Sequence, residues 1–207
     1  GLTAIVYEGP NGPEINNNER VEIEFEYKIP RGSNTGFHIS IPGDVSDVRE
    51  DIVQPGFEIQ LRDAEADGRL TDTVNRFDQA VEAGAELTDA QRQARNQRSS
   101  DRSGSIYMYA DPHTDPNLND GWNKVTVILD DTGDVDGTDI TVLINGQETT
   151  NFQRTDAPLD IGTRNPEIIP NLPQEGPRDQ GRIAFQGHSD NDVATFKDLR
   201  WRKWKPE

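Results

Sequence analysis

The feature that most constrains the fold is a strict alternation of apolar and polar residues in several short segments. In VEIEFEYKI, residues 21–29, every second side chain is apolar and the others are Glu or Lys. Successive side chains of a strand point to opposite faces, so this period predicts a strand with one packed face and one wet face. Comparable segments occur at 35–41, 57–62, 104–110, 122–130, 140–146, 147–152, 181–188 and 192–204. Many short strands joined by turns predict an all-β fold, an antiparallel β-sandwich or jelly roll.

One long segment, residues 64–102, breaks this alternation. Its first part has apolar residues at helical spacing, and Thr88 or Asp89 is placed to cap a second, short helix. We therefore predict a partly helical insertion in a β scaffold, which also offers a surface for self-contact or for a partner. The sequence shows no domain boundary, and we predict that residues 1–207 form a single domain with this insertion.

Charge and composition exclude several classes of function. The net charge of −17 argues against nucleic acid and anionic membranes as partners, because both select clusters of Lys and Arg. No segment approaches the roughly 20 apolar residues of a membrane helix. The chain has no cysteine, which excludes disulfides and thiol chemistry. The abundant acid is typical of a solubility adaptation, for example to salty surroundings.

Three of the alternating segments carry an unusual mixture of polar residues opposite their apolar rows. These polar residues are His38 and Ser40, then Glu58, Gln60 and Arg62, and finally Gln186 and His188. If the three strands share a sheet, its outward face bears imidazoles, a carboxylate, carboxamides and a guanidinium. Sugar hydroxyls need both hydrogen-bond donors and acceptors, so this mixture favours a carbohydrate as the partner.

The chain resembles the 3-keto-disaccharide hydrolase-like domain through seven segments in order: NTGFHI, PGFEIQLRD, SGSIYMYADP, GWNKVTVIL, ITVLING, GRIAFQGH and ATFKDLRW. The resemblance spans roughly residues 20–204. It implies a concanavalin A-like β-sandwich with a sugar cleft, found in secreted or periplasmic proteins of bacteria, although no signal peptide is visible in this chain. The positions that match the family pattern are Asn34, Gly36, Glu58, Gln60, Asp63, Gly104, Tyr107, Trp122, Asn123, Asn145, Gly146, Gln186 and His188.

The resemblance also implies a chemistry, the cleavage of a glycoside that carries a ketone at C3. Such cleavage needs a base near neutral pH and an electrophile for the enolate oxygen. The catalytic candidates are Glu58 or His188 as the base and Arg62 as the group that polarises the ketone. The candidates for substrate binding are Gln60, Asp63, His38, Asn34, Gln186 and Tyr107.

The sequence requires no cofactor. A divalent cation is an alternative to Arg62 as the group that polarises the ketone. Its ligands would be Glu58, His188, His38 and Asp63, whose spacing matches no known metal motif. The metal itself is therefore unknown.

Departures from the family pattern leave a second interpretation open. Gly187 stands where the family has an acid, and Lys197 and Asp198 replace its Arg and Asn. The alternative to an enzyme is a non-catalytic carbohydrate-binding or structural module of a larger secreted assembly.

Overall fold

The computed structural model describes residues 3–6, 19–42, 57–130, 139–153, 159, 181–187 and 193–204. Within these ranges the chain forms nine strands and two helices. In chain order they are β1 (Thr3–Val6), β2 (Arg20–Lys28), β3 (Asn34–Pro42), β4 (Phe57–Arg62), α1 (Ala64–Glu82), α2 (Asp89–Ser100), β5 (Asn123–Asp130), β6 (Asp139–Ile144), β7 (Gln147–Phe152), β8 (Gly181–Gly187) and β9 (Thr195–Trp204).

The strands form two antiparallel sheets. One has four strands in the order β1-β8-β3-β4, and the other has five in the order β7-β6-β5-β2-β9. Four of the seven neighbouring pairs join strands that are distant in sequence, as expected for a sandwich rather than a series of hairpins. The predicted all-β antiparallel sandwich is confirmed.

The core lies between the two sheets and is built from their apolar rows. On β2 the side chains at 21, 23, 25 and 27 are fully buried, and the intervening acids are not. Phe25 of the five-stranded sheet meets two rings of the four-stranded sheet, with centroids 4.6 Å from Phe37 and 5.3 Å from Phe185. The alternation in the sequence therefore marks the side of each strand that faces the opposite sheet.

The two helices confirm the predicted helical insertion. Helix α1 follows β4 directly because Asp63 caps it, accepting hydrogen bonds from the backbone N of Glu65 and Ala66. Helix α2 begins after Thr88, whose side chain forms a capping box with Gln91. No helix among the described residues combines the length and hydrophobicity that a membrane span requires.

The hairpin predicted at Asn145-Gly146 is also present, and it joins β6 to β7. Both residues have positive φ, 52° and 80°, which the pair of Asn and Gly adopts readily. The carboxamide of Asn145 also binds the neighbouring strand, accepting from the backbone N of Lys124 at 2.9 Å.

The predicted strand over 104–110 is wrong. This stretch forms turns, and only Ile106 makes isolated bridges, to Ile59 and Ala110. Gly104 and Met108 have φ values of 82° and 69°, which interrupt an extended backbone. Ile106 is nonetheless fully buried in the core and bridges Ile59 of β4 without a regular ladder.

Candidate active site

Strands β3 and β4 pair in a register that brings the polar candidates together. His38 lies opposite Glu58, Gly36 opposite Gln60, and Asn34 opposite Arg62. On the other side of β3, Phe37 pairs with Phe185, so Gln186 is the next residue along β8. The prediction that these three strands share a sheet is confirmed. We refer to His38, Glu58, Gln60 and Gln186 as the polar face.

The polar face is buried, although it points away from the core between the sheets. The exposed fractions are 2% for His38, 6% for Glu58, 3% for Gln60 and 5% for Gln186. The sequence alone suggested a wet outer surface. Because buried polar atoms cannot rely on bulk water, their partners within the protein decide what this face can bind.

The Glu58 carboxyl has a perturbed protonation equilibrium. Burial raises its pKa from the usual 4.5 to about 7; the charge of Asp101 raises it as well, and Arg62 opposes the change. A carboxyl with a pKa near neutral is half ionised at physiological pH. Such a group can both accept and return a proton during a reaction.

Gly36 leaves the space that the Glu58 carboxyl occupies. A Cβ at Gly36 would lie only 2.9 Å from both Cγ and Cδ of Glu58 and would also collide with Oε1. The carboxyl therefore lies over the β3 residue that pairs with Gln60. On the far side of β3, the Thr35 hydroxyl donates to the backbone O of Gln186 and holds β8 at this level.

Among the described residues, two carboxamide oxygens on this face have no hydrogen-bond donor. They are Oε1 of Gln60 and Oε1 of Gln186, and both are buried. A buried acceptor without a donor typically costs about 1–3 kcal/mol. Together with Glu58, these oxygens form a group of acceptors suited to hydroxyl donors.

The backbone of β4 is hydrogen-bonded on both sides at the level of the polar face. Beyond its pairing with β3, its free edge is covered by the turn segment after α2. Gly104 N donates to Gln60 O at 2.8 Å, and Tyr107 N donates to Glu58 O at 2.8 Å. This double support fixes the directions in which Glu58 and Gln60 point.

A known protein family matches most of this chain. Residues 16–202 match the family described as the 3-keto-alpha-glucoside-1,2-lyase-like domain. The chain belongs to this family. The resemblance seen in the sequence is thereby confirmed, and with it a place among carbohydrate-active, hydrolase-like domains. A search of curated proteins found no match for this lyase-like domain.

Two solved structures share the fold of this lyase-like domain, and both are candidate glycosyl hydrolases of Parabacteroides distasonis. The first has a TM-score of 0.55 and 16% identity, and the alignment covers 98% of this chain and 83% of that one. The second has a TM-score of 0.55 and 20% identity, with 96% and 75% covered. At such identities the likeness concerns the fold alone.

Two departures from the family pattern lie away from the polar face of this lyase-like domain. Lys197 and Asp198 belong to β9 in the five-stranded sheet. Lys197 pairs with Glu26 at 3.0 Å and lies over the ring of Trp122 at 4.3 Å. Asp198 has a φ of 55°, a conformation that Asn and Asp tolerate better than most residues. Asp198, which stands where the family has Asn, is therefore compatible with the same backbone conformation.

The remaining candidates occupy different surroundings. Both carboxylate oxygens of Asp63 bind backbone N–H groups, since Oδ2 accepts from Gly32 N at 2.8 Å while Oδ1 caps α1. Asn34 lies opposite Arg62 at the end of the strand pair. His188 follows β8 but lies outside the described residues, so its role stays a prediction.

Sequence reasoning missed two residues from the end of the insertion, Gln97 and Asp101. Gln97 Nε2 lies 3.4 Å from the hydroxyl of Tyr107 and 3.4 Å from Oδ1 of Asp101. Asp101 in turn contacts Arg62 of β4, with Nη2 and Oδ1 3.9 Å apart. The only signal in the sequence was the spacing of four residues between Gln97 and Asp101, which places both on one side of a helix.

A metal site is not evident in the part of the chain that the structure describes. There, no three His, Asp or Glu side chains are grouped so that they could hold an ion. The divalent cation considered from the sequence would include His188, so it stays a prediction.

Proposed function

We propose that this domain cleaves 3-keto-glycosides, with the polar face as its substrate site and Glu58 as the group that transfers the proton. One observation carries the proposal. The buried Glu58 carboxyl, with a pKa of about 7, lies over Gly36 on the same sheet face as two carboxamide oxygens to which no described residue donates. Hydroxyl groups of a sugar would supply the missing donors.

The reaction requires two proton transfers around one carbonyl group. A ketone at C3 acidifies the proton on C2, and Glu58 in its ionised form accepts that proton while the electron pair moves onto the ketone oxygen. The enolate then re-forms the carbonyl, a double bond forms between C1 and C2, and the bond from C1 to the glycosidic oxygen breaks. The departing oxygen takes up a proton. Addition of water across the double bond completes hydrolysis.

The residues around Glu58 suit the other needs of this reaction. The Arg62 guanidinium lies at the end of the same strand face and is the candidate for stabilising the enolate oxygen. Gln60 and Gln186 offer acceptors for sugar hydroxyls. His188 stays the candidate for the second proton transfer, and a divalent cation stays an alternative to Arg62.

The test is turnover of a 3-keto-disaccharide, measured against the same disaccharide without the ketone. We expect turnover of the keto compound only, because the parent sugar has no acidic proton on C2. Glu58→Gln keeps the size of the side chain but removes the base, and we expect it to lower kcat by a factor of about 10² or more. A parallel series with a chelator tests the cation.

The matched control is Glu148→Gln, the same change at an exposed position of β7. This variant should turn over the keto compound at the wild-type rate. Wild-type activity in Glu58→Gln would refute the proposed role, and equal cleavage of both sugars would refute the 3-keto chemistry.

The second candidate function is a carbohydrate-binding module without catalysis. The unpartnered oxygens of Gln60 and Gln186 favour it, because they would bind hydroxyls whether or not a bond is broken. Calorimetric binding of the disaccharides without any turnover would identify this function. In that case Gln60→Leu should weaken binding, whereas Glu58→Gln should have a smaller effect.

A further inference from the structure

The turn that follows α2 is attached firmly to the strand that carries Glu58. The backbone N of Arg62 donates to the Ser103 hydroxyl at 2.8 Å, and Gln60 N donates to Ser105 O at 3.1 Å. Ser103 N in turn donates to the buried carboxylate of Asp67 in α1. The helical insertion is thus tied to β4 at the level of the polar face, and its last residues have a fixed place there.

Asp101 makes two contacts with Arg62 at this junction. The backbone O of Asp101 accepts from Nε of Arg62, and its carboxylate lies 3.9 Å from Nη2. Both side chains are partly exposed, at 17% for Arg62 and 27% for Asp101, so the pair lies at the border between the buried face and solvent. The guanidinium is therefore held in one orientation by a residue from the insertion.

We propose that the helical insertion is a functional part of the site and that Asp101 is a positioning residue, which holds the Arg62 guanidinium at the border of the polar face. This inference rests on the proposed function, because it gives the Arg62–Asp101 pair a task in the reaction assigned to Glu58. It differs from the sequence-based expectation that 64–102 serves self-contact or a partner.

Arg62 is the group that the proposed function assigns to the enolate oxygen, which exists only during the reaction. A residue that orients Arg62 should therefore affect kcat more than KM, and it should have no effect once Arg62 is removed.

The experiment is a double-mutant cycle on the turnover of a 3-keto-disaccharide. Asp101→Asn removes the charge that faces the Arg62 guanidinium and should lower kcat about tenfold with little change in KM. Asp101→Glu keeps the charge and should retain most of the wild-type rate. In the Arg62→Gln background, Asp101→Asn should cause no further loss.

The control is Asp72→Asn, which removes one negative charge from an exposed position of α1 and should keep the wild-type kcat. An equal loss from Asp101→Asn with and without Arg62, or no loss in either background, would refute this inference alone. An absence of turnover in the wild type would instead refute the proposed function.

Discussion

At the scale of single residues, the polar face is a place where the protein gives up stability. Glu58, Gln60 and Gln186 are buried, and none of the described residues donates a hydrogen bond to the side-chain oxygens of the two carboxamides. A surface strand could carry Thr or Lys at these positions at no such cost. Buried groups of this kind are expected where a ligand, rather than the fold, supplies the missing partners.

Glu58 should make folding stability depend on pH. In the folded state its pKa is about 7, compared with 4.5 when it is free. The folded protein therefore binds this proton more tightly than the unfolded chain does, and the stability that it contributes below about pH 4.5 is lost as the pH rises to about 7. The difference corresponds to about 3 kcal/mol at most. Glu58→Gln cannot lose a proton, so its free energy of unfolding should exceed that of the wild type above pH 7.

Urea unfolding at pH 5 and pH 8 measures this effect. The gap between Glu58→Gln and wild type should widen from the lower to the higher pH, while Glu148→Gln should follow the wild type at both. A constant gap would mean that the Glu58 carboxyl titrates normally in the folded protein.

At the scale of elements, the two helices are joined by one arginine. Arg95 of α2 binds Asp78 of α1 through two hydrogen bonds of 3.0 and 3.1 Å, and its third nitrogen contacts Asp111. These hydrogen bonds, together with the charges of Asp78 and Asp111, raise the pKa of Arg95 against the opposing effect of burial. Since Asp101 follows the last residue of α2 as its C-cap, this connection also supports the candidate site.

Arg95→Met should loosen the insertion, because it leaves two carboxylates without their shared cation. We expect a loss of about 1–3 kcal/mol, seen as faster hydrogen exchange of amides in α1 and α2 than in the strands. Arg92→Met removes an exposed pair with Asp89 in the same helix and should cost at most about 0.5 kcal/mol. Equal exchange rates in both variants would show that Arg95 does not join the helices.

At the scale of the whole molecule, the excess of acid is only partly balanced by ion pairs. The outer face of the five-stranded sheet pairs the acids of β2 with bases of β5 and β9. Glu24, for example, contacts both Lys124 and Arg200. The hydrogen bond from Lys124 lowers the pKa of Glu24 more than any other contact. Exposed pairs contribute about 0–1 kcal/mol each, whereas the remaining charge of −17 repels throughout.

Salt should therefore stabilise the protein, because screening of the net repulsion outweighs screening of the ion pairs. We expect Tm to rise between low ionic strength and about 0.5 M NaCl, where the Debye length is only about 4 Å. A variant with Asp72→Asn, Glu82→Gln and Glu86→Gln loses three exposed acids, which changes the net charge from −17 to −14. Its Tm should rise less. A fall in Tm with salt would show that the ion pairs dominate.

The sequence by itself determined eight of the nine strands, the helical insertion and the family, but it missed the short strand β1. Alternation in 21–29 marks a strand because the period of two is a local property of extended chain, and Thr88 marks a helix start because an N-cap bonds only to the next few residues. It failed at 104–110, where Gly104 and Met108 turn the chain out of the extended conformation.

The tertiary structure alone decided that the polar face is buried and that residues of the insertion border it. Glu58 and Asp101 lie on separate elements, and their electrostatic contact depends on the path of the chain through both helices. Contacts between residues distant in sequence decide the order of the strands in each sheet. They also decide which segments cover the outer face of a sheet. A local pattern carries no information on those contacts, and the pKa of Glu58 is set by them.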